Sequence, residues 1–97
     1  MGELTARMRG QGKIFRGAQF LTTADYEVRV FQDYVEVPTQ DKGHAKIPGL
    51  KYIDCDLIPF PYMAKLGSRL TLHMDDGRKL DLLVVGANAL KPTGAIY

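Results

Sequence analysis

The amino-acid sequence predicts an all-β fold, a small antiparallel barrel or sandwich of about six strands, and three observations carry that prediction. The segment Arg69–Gly86 reads as a β-hairpin, because Asp76 and Gly77 sit between two runs of alternating apolar residues and glycine tolerates the positive φ that tight turns need. Two further runs, Tyr26 to Val37 and Leu50 to Ile58, are rich in β-branched and aromatic residues. Helical periodicity is nearly absent: only Tyr62 to Leu66, with Pro61 at its first position and Gly67 past its end, reads as one short helical turn.

The register of the hairpin follows from alternation, since a slip of one residue exchanges the buried face for the solvated one. A two-residue loop would set Leu72 opposite Asp81 and mix the faces. A three-residue loop, Asp75 to Gly77 with Gly77 in the left-handed position of a bulge, sets Leu72 opposite Leu80 and Leu70 opposite Leu82. That register gathers Leu70, Leu72, Met74, Leu80, Leu82 and Val84 on a buried face. It leaves Thr71, His73, Lys79 and Asp81 outside, together with Leu83 and Val85, so the far end of the hairpin is expected to be covered on both sides.

Ninety-seven residues, 45% hydrophobic and 25% charged, make one β domain over 1–97 and exclude wholesale disorder. A core of this size is modest, which makes self-association a natural source of further burial. The net charge of +2 is too small to imply a nucleic-acid or membrane partner by itself. Cys55 is the single cysteine, so no internal disulfide framework exists, and its place between apolar strand positions marks it as a buried small hydrophobe. No apolar run approaches the roughly 20 residues of a membrane span, and the first residues lack the apolar segment of a signal peptide. The expected compartment is therefore the cytoplasm.

From the N-terminus, residues 1–12 read as a basic arm leading into an irregular or edge strand that ends at Ile14 and Phe15, with Gly10 and Gly12 excluding a helix. Residues 18–22 form a short apolar piece, and Thr23-Ala24-Asp25 reads as a turn. In the run that follows, Tyr26, Val28 and Val30 share one face whereas Phe31, Val35 and Val37 share the other. A bulge or sharp bend at Phe31 to Asp33 would bring both sets into the core. Residues 38–49 lack apolar periodicity and read as a long contact loop, carrying Asp41, Lys42, His44 and Lys46. In the next strand Ile53, Cys55 and Leu57 point one way and Tyr52, Asp54 and Asp56 the other, and Pro59 and Pro61 end it. Residues 87–97 close the chain as a last short strand or as an arm ending in Ile96 and Tyr97.

The raw material for catalysis is thin. His44 and His73 have no metal-type partner at short spacing. Asp54 and Asp56 lack the further oxygens that a hard cation takes. Alternation turns Cys55 inward and His73 outward, which argues against a nucleophile and base pair. No catalytic, cofactor-binding or metal-binding residue is assigned, and no enzymatic activity is expected. Nucleic-acid binding is the alternative: Phe15, Phe20, Tyr26, Phe31 and Tyr34 beside Arg7, Arg9, Lys13, Arg16 and Arg29 would make a stacking platform next to a basic groove. Against it, most of those aromatics lie at core-phase positions.

The Leu-Thr-Leu-His-Met-Asp-Asp-Gly-Arg-Lys-Leu hairpin, the strand-loop-strand from Tyr34 to Leu57 and the glycine-containing C-terminal end together resemble, in outline, the small all-β structural proteins of tailed-phage virions, in tube, connector, baseplate or decoration roles. The resemblance implies a self-associating virion component assembled in the host cytoplasm. Homo-oligomeric or other structural-subunit contacts are then expected at Arg7, Arg9, Asp41, Lys42, His44, Lys46, Leu83, Val85, Ile96 and Tyr97.

Overall fold

The computed structural model describes residues 2–40 and 43–97; Asp41 and Lys42 lie outside the described residues. Six strands, β1 (Glu3–Arg16), β2 (Gln19–Pro38), β3 (His44–Ile58), β4 (Arg69–His73), β5 (Lys79–Gly86) and β6 (Ala89–Pro92), form one antiparallel sheet in the order β3-β2-β1-β4-β5-β6. The sheet curls until its two edge strands, β3 and β6, approach each other without a hydrogen-bonded ladder, leaving a nearly closed barrel with one open seam.

The core is the inward row of each strand. Ile14, Ala24, Tyr26, Val28, Cys55 and Leu57 meet the six residues that alternation assigned to the hairpin, Leu70, Leu72, Met74, Leu80, Leu82 and Val84, all buried. The β4–β5 register pairs Leu70 with Leu82 and Leu72 with Leu80, and Gly77, at φ 91°, takes the left-handed position of the three-residue loop. Ile53, Cys55 and Leu57 face inward as their alternation requires.

One interaction explains the glycines of β1. Gly10 pairs with Tyr26, whose ring lies in the core and whose hydroxyl donates to Asp75 Oδ1 at 2.7 Å. A Cβ on Gly10 would collide with the Asp75 carboxylate, and one on Gly12 would sit 2.7 Å from the His73 carbonyl oxygen and 2.8 Å from Leu72 Cδ1. The absent side chains let β1 pass close beneath the β4–β5 turn. β4 itself pairs with only Lys13 to Phe15 of β1, so the Tyr26–Asp75 bond ties the turn to the long strands beyond the end of that ladder.

Five expectations are corrected. The stretch Tyr62–Leu66 is not helical: two successive turns replace it, closed by Ala64 N–H to Pro61 O at 3.0 Å and Ser68 N–H to Lys65 O at 2.9 Å, with Gly67 at φ 85° in the second. Pro61 and Ala64 are buried in these turns, and the Gly67 N–H bonds to the Val84 carbonyl of β5 at 2.8 Å in place of the carbonyl four residues back that a helix would use. Thr23-Ala24-Asp25 is not a turn; Ala24 occupies an inward core position, β2 runs through it, and the chain reverses earlier, between Arg16 and Gln19. Residues 1–12 are not a detached arm, because β1 pairs with β2 from Glu3 onward.

The fourth correction concerns the long loop. Residues 38–49 are mostly strand: Tyr34 pairs with Pro48, Val35 with Ile47, Glu36 with Lys46, Val37 with Ala45 and Pro38 with His44. The β2–β3 hairpin therefore outruns the rest of the sheet as a projecting arm. The molecule measures 56 × 27 × 20 Å with a radius of gyration of 16.6 Å, against roughly 12–13 Å for a compact chain of this length. The irregularity expected at Phe31 to Asp33 is present, since two β3 residues, Gly49 and Leu50, oppose Asp33 alone and Thr5 is extra in β1 at the same height. It does not turn Phe31, Val35 and Val37 into the core: β2 keeps its alternation and these residues stay on the outer face. The C-terminal segment supplies β6, and its tail returns to the barrel, where Tyr97 exchanges two backbone bonds with Lys79 at 2.7 and 2.9 Å.

Burial, the hydrogen bond to Asp75 and the negative charge there push Tyr26 up to about 12. A phenol held protonated in the native state contributes stability that is complete below its unfolded value near 10 and is lost as pH rises toward 12. Tyr26→Phe is expected to cost about 1.5–3 kcal/mol at neutral pH, the worth of a hydrogen bond to a charged group, and to shrink the stability loss between about pH 10 and 12; urea denaturation across that range checks both. Gly10→Val is expected to destabilise at every pH.

Candidate functional site

The outer face of the three long strands divides into a charged part over the barrel and an apolar part along the arm. Over the barrel, Arg7, Arg29 and Asp54 lie in one cross-strand row and Arg9, Glu27 and Asp56 in the next. Arg29 Nη2 reaches Asp54 at 3.1 Å and Asp56 at 2.7 Å, and Glu27 takes Arg7 at 3.2 Å, Arg9 at 3.2 Å and Arg29 at 3.4 Å. Three cations and three anions thus neutralise one another. Hydrogen bonds donated to Asp56 and Asp54 raise the Arg29 guanidinium further above its ordinary range. Partial desolvation of Glu27 acts the other way, but the bond from Arg9 and the charges of Arg9, Arg29 and Arg7 hold it below the usual carboxylate range.

Toward the arm the same face becomes apolar. Phe31 stacks on Tyr52 with centroids 5.0 Å apart and planes 15° from parallel, and Leu4 pairs with Phe31 from β1. Beyond them Val35 and Ile47 form the next cross-strand pair. Leu4, Val35, Ile47 and Tyr52 keep 44–51% of their surface in water, on a sheet face with no second layer. The arm is held firmly at its root: Gln32 Nε2 lies 2.9, 3.2 and 3.4 Å from the carbonyl oxygens of Asp33, Gly49 and Leu50, bonding across the bulge.

Beside that root the seam between β3 and β6 opens into a groove of about 560 Å³, lined by Val30, Lys51, Ile53, Lys91, Pro92 and Ile96 among others. Its two flanking strands have no ladder partner on this side. At the opposite end of the barrel, Tyr62, Leu66 and Val85 line a shallower recess.

The contact candidates read from the sequence fall into different places. Arg7 and Arg9 belong to the charge network. His44 and Lys46 are exposed at the start of β3, the second strand of the arm, and Asp41 and Lys42 lie outside the described residues. Leu83 is half-buried between Arg69 and Lys91 on neighbouring strands, and Val85 is 45% exposed at the far recess. Ile96 packs against the barrel's own core, and the Tyr97 hydroxyl donates to Asp81 at 2.8 Å. Sequence reasoning placed Tyr52 on the outer face with Asp54 and Asp56 but missed Leu4, Val35 and Ile47 as exposed apolar residues. The signal was the second apolar phase of β2, which cannot share a face with Tyr26, Val28 and Val30.

Reactive groups are not gathered anywhere. His73 lies against the Phe15 ring at 4.2 Å, and desolvation with the charges of Lys79 and Lys13 lowers its pKa. Among the described residues no group of three or more His, Cys, Asp or Glu side chains is placed to hold a metal ion. Among the described residues no helix is long and apolar enough to cross a membrane. Comparison with known proteins finds no family model, no curated protein and no solved structure that matches the chain.

Burial, with Asp56 and Asp54 nearby, pushes the Cys55 thiol up to about 12, so almost no nucleophilic thiolate is present at neutral pH. In the folded protein Cys55 is expected to resist disulfide-exchange reagents at pH 8 and to react at the rate of unfolding, a difference that absorbance at increasing urea reads directly.

Proposed function

We propose that this chain is a non-enzymatic structural subunit that assembles through its projecting β arm, as a component of a tailed-phage virion. The observation that carries the reading is the uncovered apolar face of the arm, Leu4, Phe31, Tyr52, Val35 and Ile47. An exposed apolar strip of this kind on an extended strand pair costs solubility unless a partner covers it. The barrel has a complete core without it, so the arm is not explained by folding of the single chain. The virion role rests on the outline resemblance carried by the Leu70–Leu80 hairpin, the segment from Tyr34 to Leu57 and the glycine-containing C-terminal end.

The nucleic-acid alternative has less support. Tyr26 is in the core, Phe31 is stacked on Tyr52, and Arg7, Arg9 and Arg29 are committed to Glu27, Asp54 and Asp56.

Sedimentation or light scattering over a range of concentrations tests the assembly reading. The parent chain is expected to self-associate, and Val35→Glu with Ile47→Lys to abolish association while leaving thermal unfolding of the barrel unchanged, because both residues lie outside the core. A monomer at high concentration that also recovers no companion when co-expressed with its neighbouring genes would overturn the reading. A salt-sensitive mobility shift with single-stranded oligonucleotides, weakened by charge reversal at Arg7 and Arg9, would favour the alternative.

A further inference from the structure

We propose that the groove at the open β3–β6 seam is the acceptor for the acidic edge of the arm of a second copy of this chain, so that copies join head to tail. This deepens the assembly reading and rests on it: the arm is the donor, and the groove supplies the complementary surface.

Backbone, charge and connectivity each point the same way. β1 begins opposite Gln32, so among the described residues one side of β2 has no neighbouring strand from Asp33 to Pro38, and beyond the Asp33 carbonyl, which accepts from Gln32 Nε2, it offers unpaired backbone groups. The groove is flanked by the two edge strands of the sheet, β3 at Lys51–Ile53 and β6 at Lys91–Pro92, with no ladder between them. Addition of an extended segment to such edges is a recurrent mode of recognition, with backbone bonds giving affinity and alternate side chains filling pockets. The free strand of the arm reads Asp33-Tyr-Val-Glu36-Val-Pro38, with two acids, no base and three large apolar side chains. The groove wall is apolar apart from two cations, Lys51 and Lys91, and has no acid. Opposite charges matched in this way fix register and reject wrong partners.

The occupant has to come from another molecule. Lys51 pairs with Gln32, so the mouth of the groove lies at the root of the chain's own arm, and that arm leads away from it as a continuous hairpin. A donor on one face and an acceptor on another make a heterologous contact, which propagates to a ring or a filament.

Charge exchange tests the pairing. One variant carries Lys51→Glu and Lys91→Glu, the other Asp33→Lys and Glu36→Lys; all four sites lie outside the buried core, and circular dichroism verifies folding. Each variant alone is expected to associate at least tenfold more weakly than the parent, and an equimolar mixture to recover assembly with the two chains in equal numbers by native mass spectrometry. A cross-link independent of charge accompanies it: chains carrying Glu36→Cys mixed with chains carrying Lys91→Cys are expected to form the mixed disulfide on oxidation, while Cys55 stays buried. If the parent assembles but the groove variant assembles equally well and no mixed disulfide forms, the groove inference falls and the arm reading stands. If the parent is a monomer with no companion, both fall.

Discussion

The constraint on which the rest of the structure depends is a mismatch of strand lengths. β1, β2 and β3 contain 14, 20 and 15 residues, whereas β4, β5 and β6 contain 5, 8 and 4. A barrel can close only over the height that all its strands share, so the core ends where the short strands end. What remains of the long strands is a ribbon with no opposing layer, and the elongation of the molecule, the paired irregularities at Thr5 and at Gly49–Leu50 and the apolar outer face lie there.

Where one face of a strand is buried and the other wet, alternation was readable directly. The β4–β5 hairpin met that condition along most of its length, and its register, its bulged turn and its six core residues could be read from residue order alone. The arm did not meet it. Tyr34 and Glu36 continue the inward row of β2 past the end of the core, and Val35 and Ile47 face out, so residue polarity there reports no burial and the segment 38–49 read as loop. Nor could single-strand patterns show that Gly10 and Gly12 lie under Tyr26 and Asp75, because that contact is set by sheet curvature and joins residues far apart in sequence.

Charge follows the same division. Over the barrel the outer face is a closed network in which each guanidinium has a carboxylate, and it leaves little net field to attract a polyanion. Arg7 and Arg9, which look like a basic arm when counted along the chain, are half of a neutral grid when seen across the strands. Lys51 and Lys91 stand outside that network, at the mouth of the seam, where the apolar wall of the groove lowers the effective dielectric around any acid brought against them.

The prolines of the free edges have a consequence of their own. Pro38 and Pro48 sit in the arm and Pro92 ends β6, and each lacks the backbone N–H that an added strand would need. An incoming strand can form only a short ladder before it meets one of them. Open-ended sheet growth of the amyloid kind depends on uninterrupted ladders, so these three residues set a ceiling on backbone pairing and leave the discrimination between partners to side chains. A chain with its edges bare is thereby guarded against templating an aggregate.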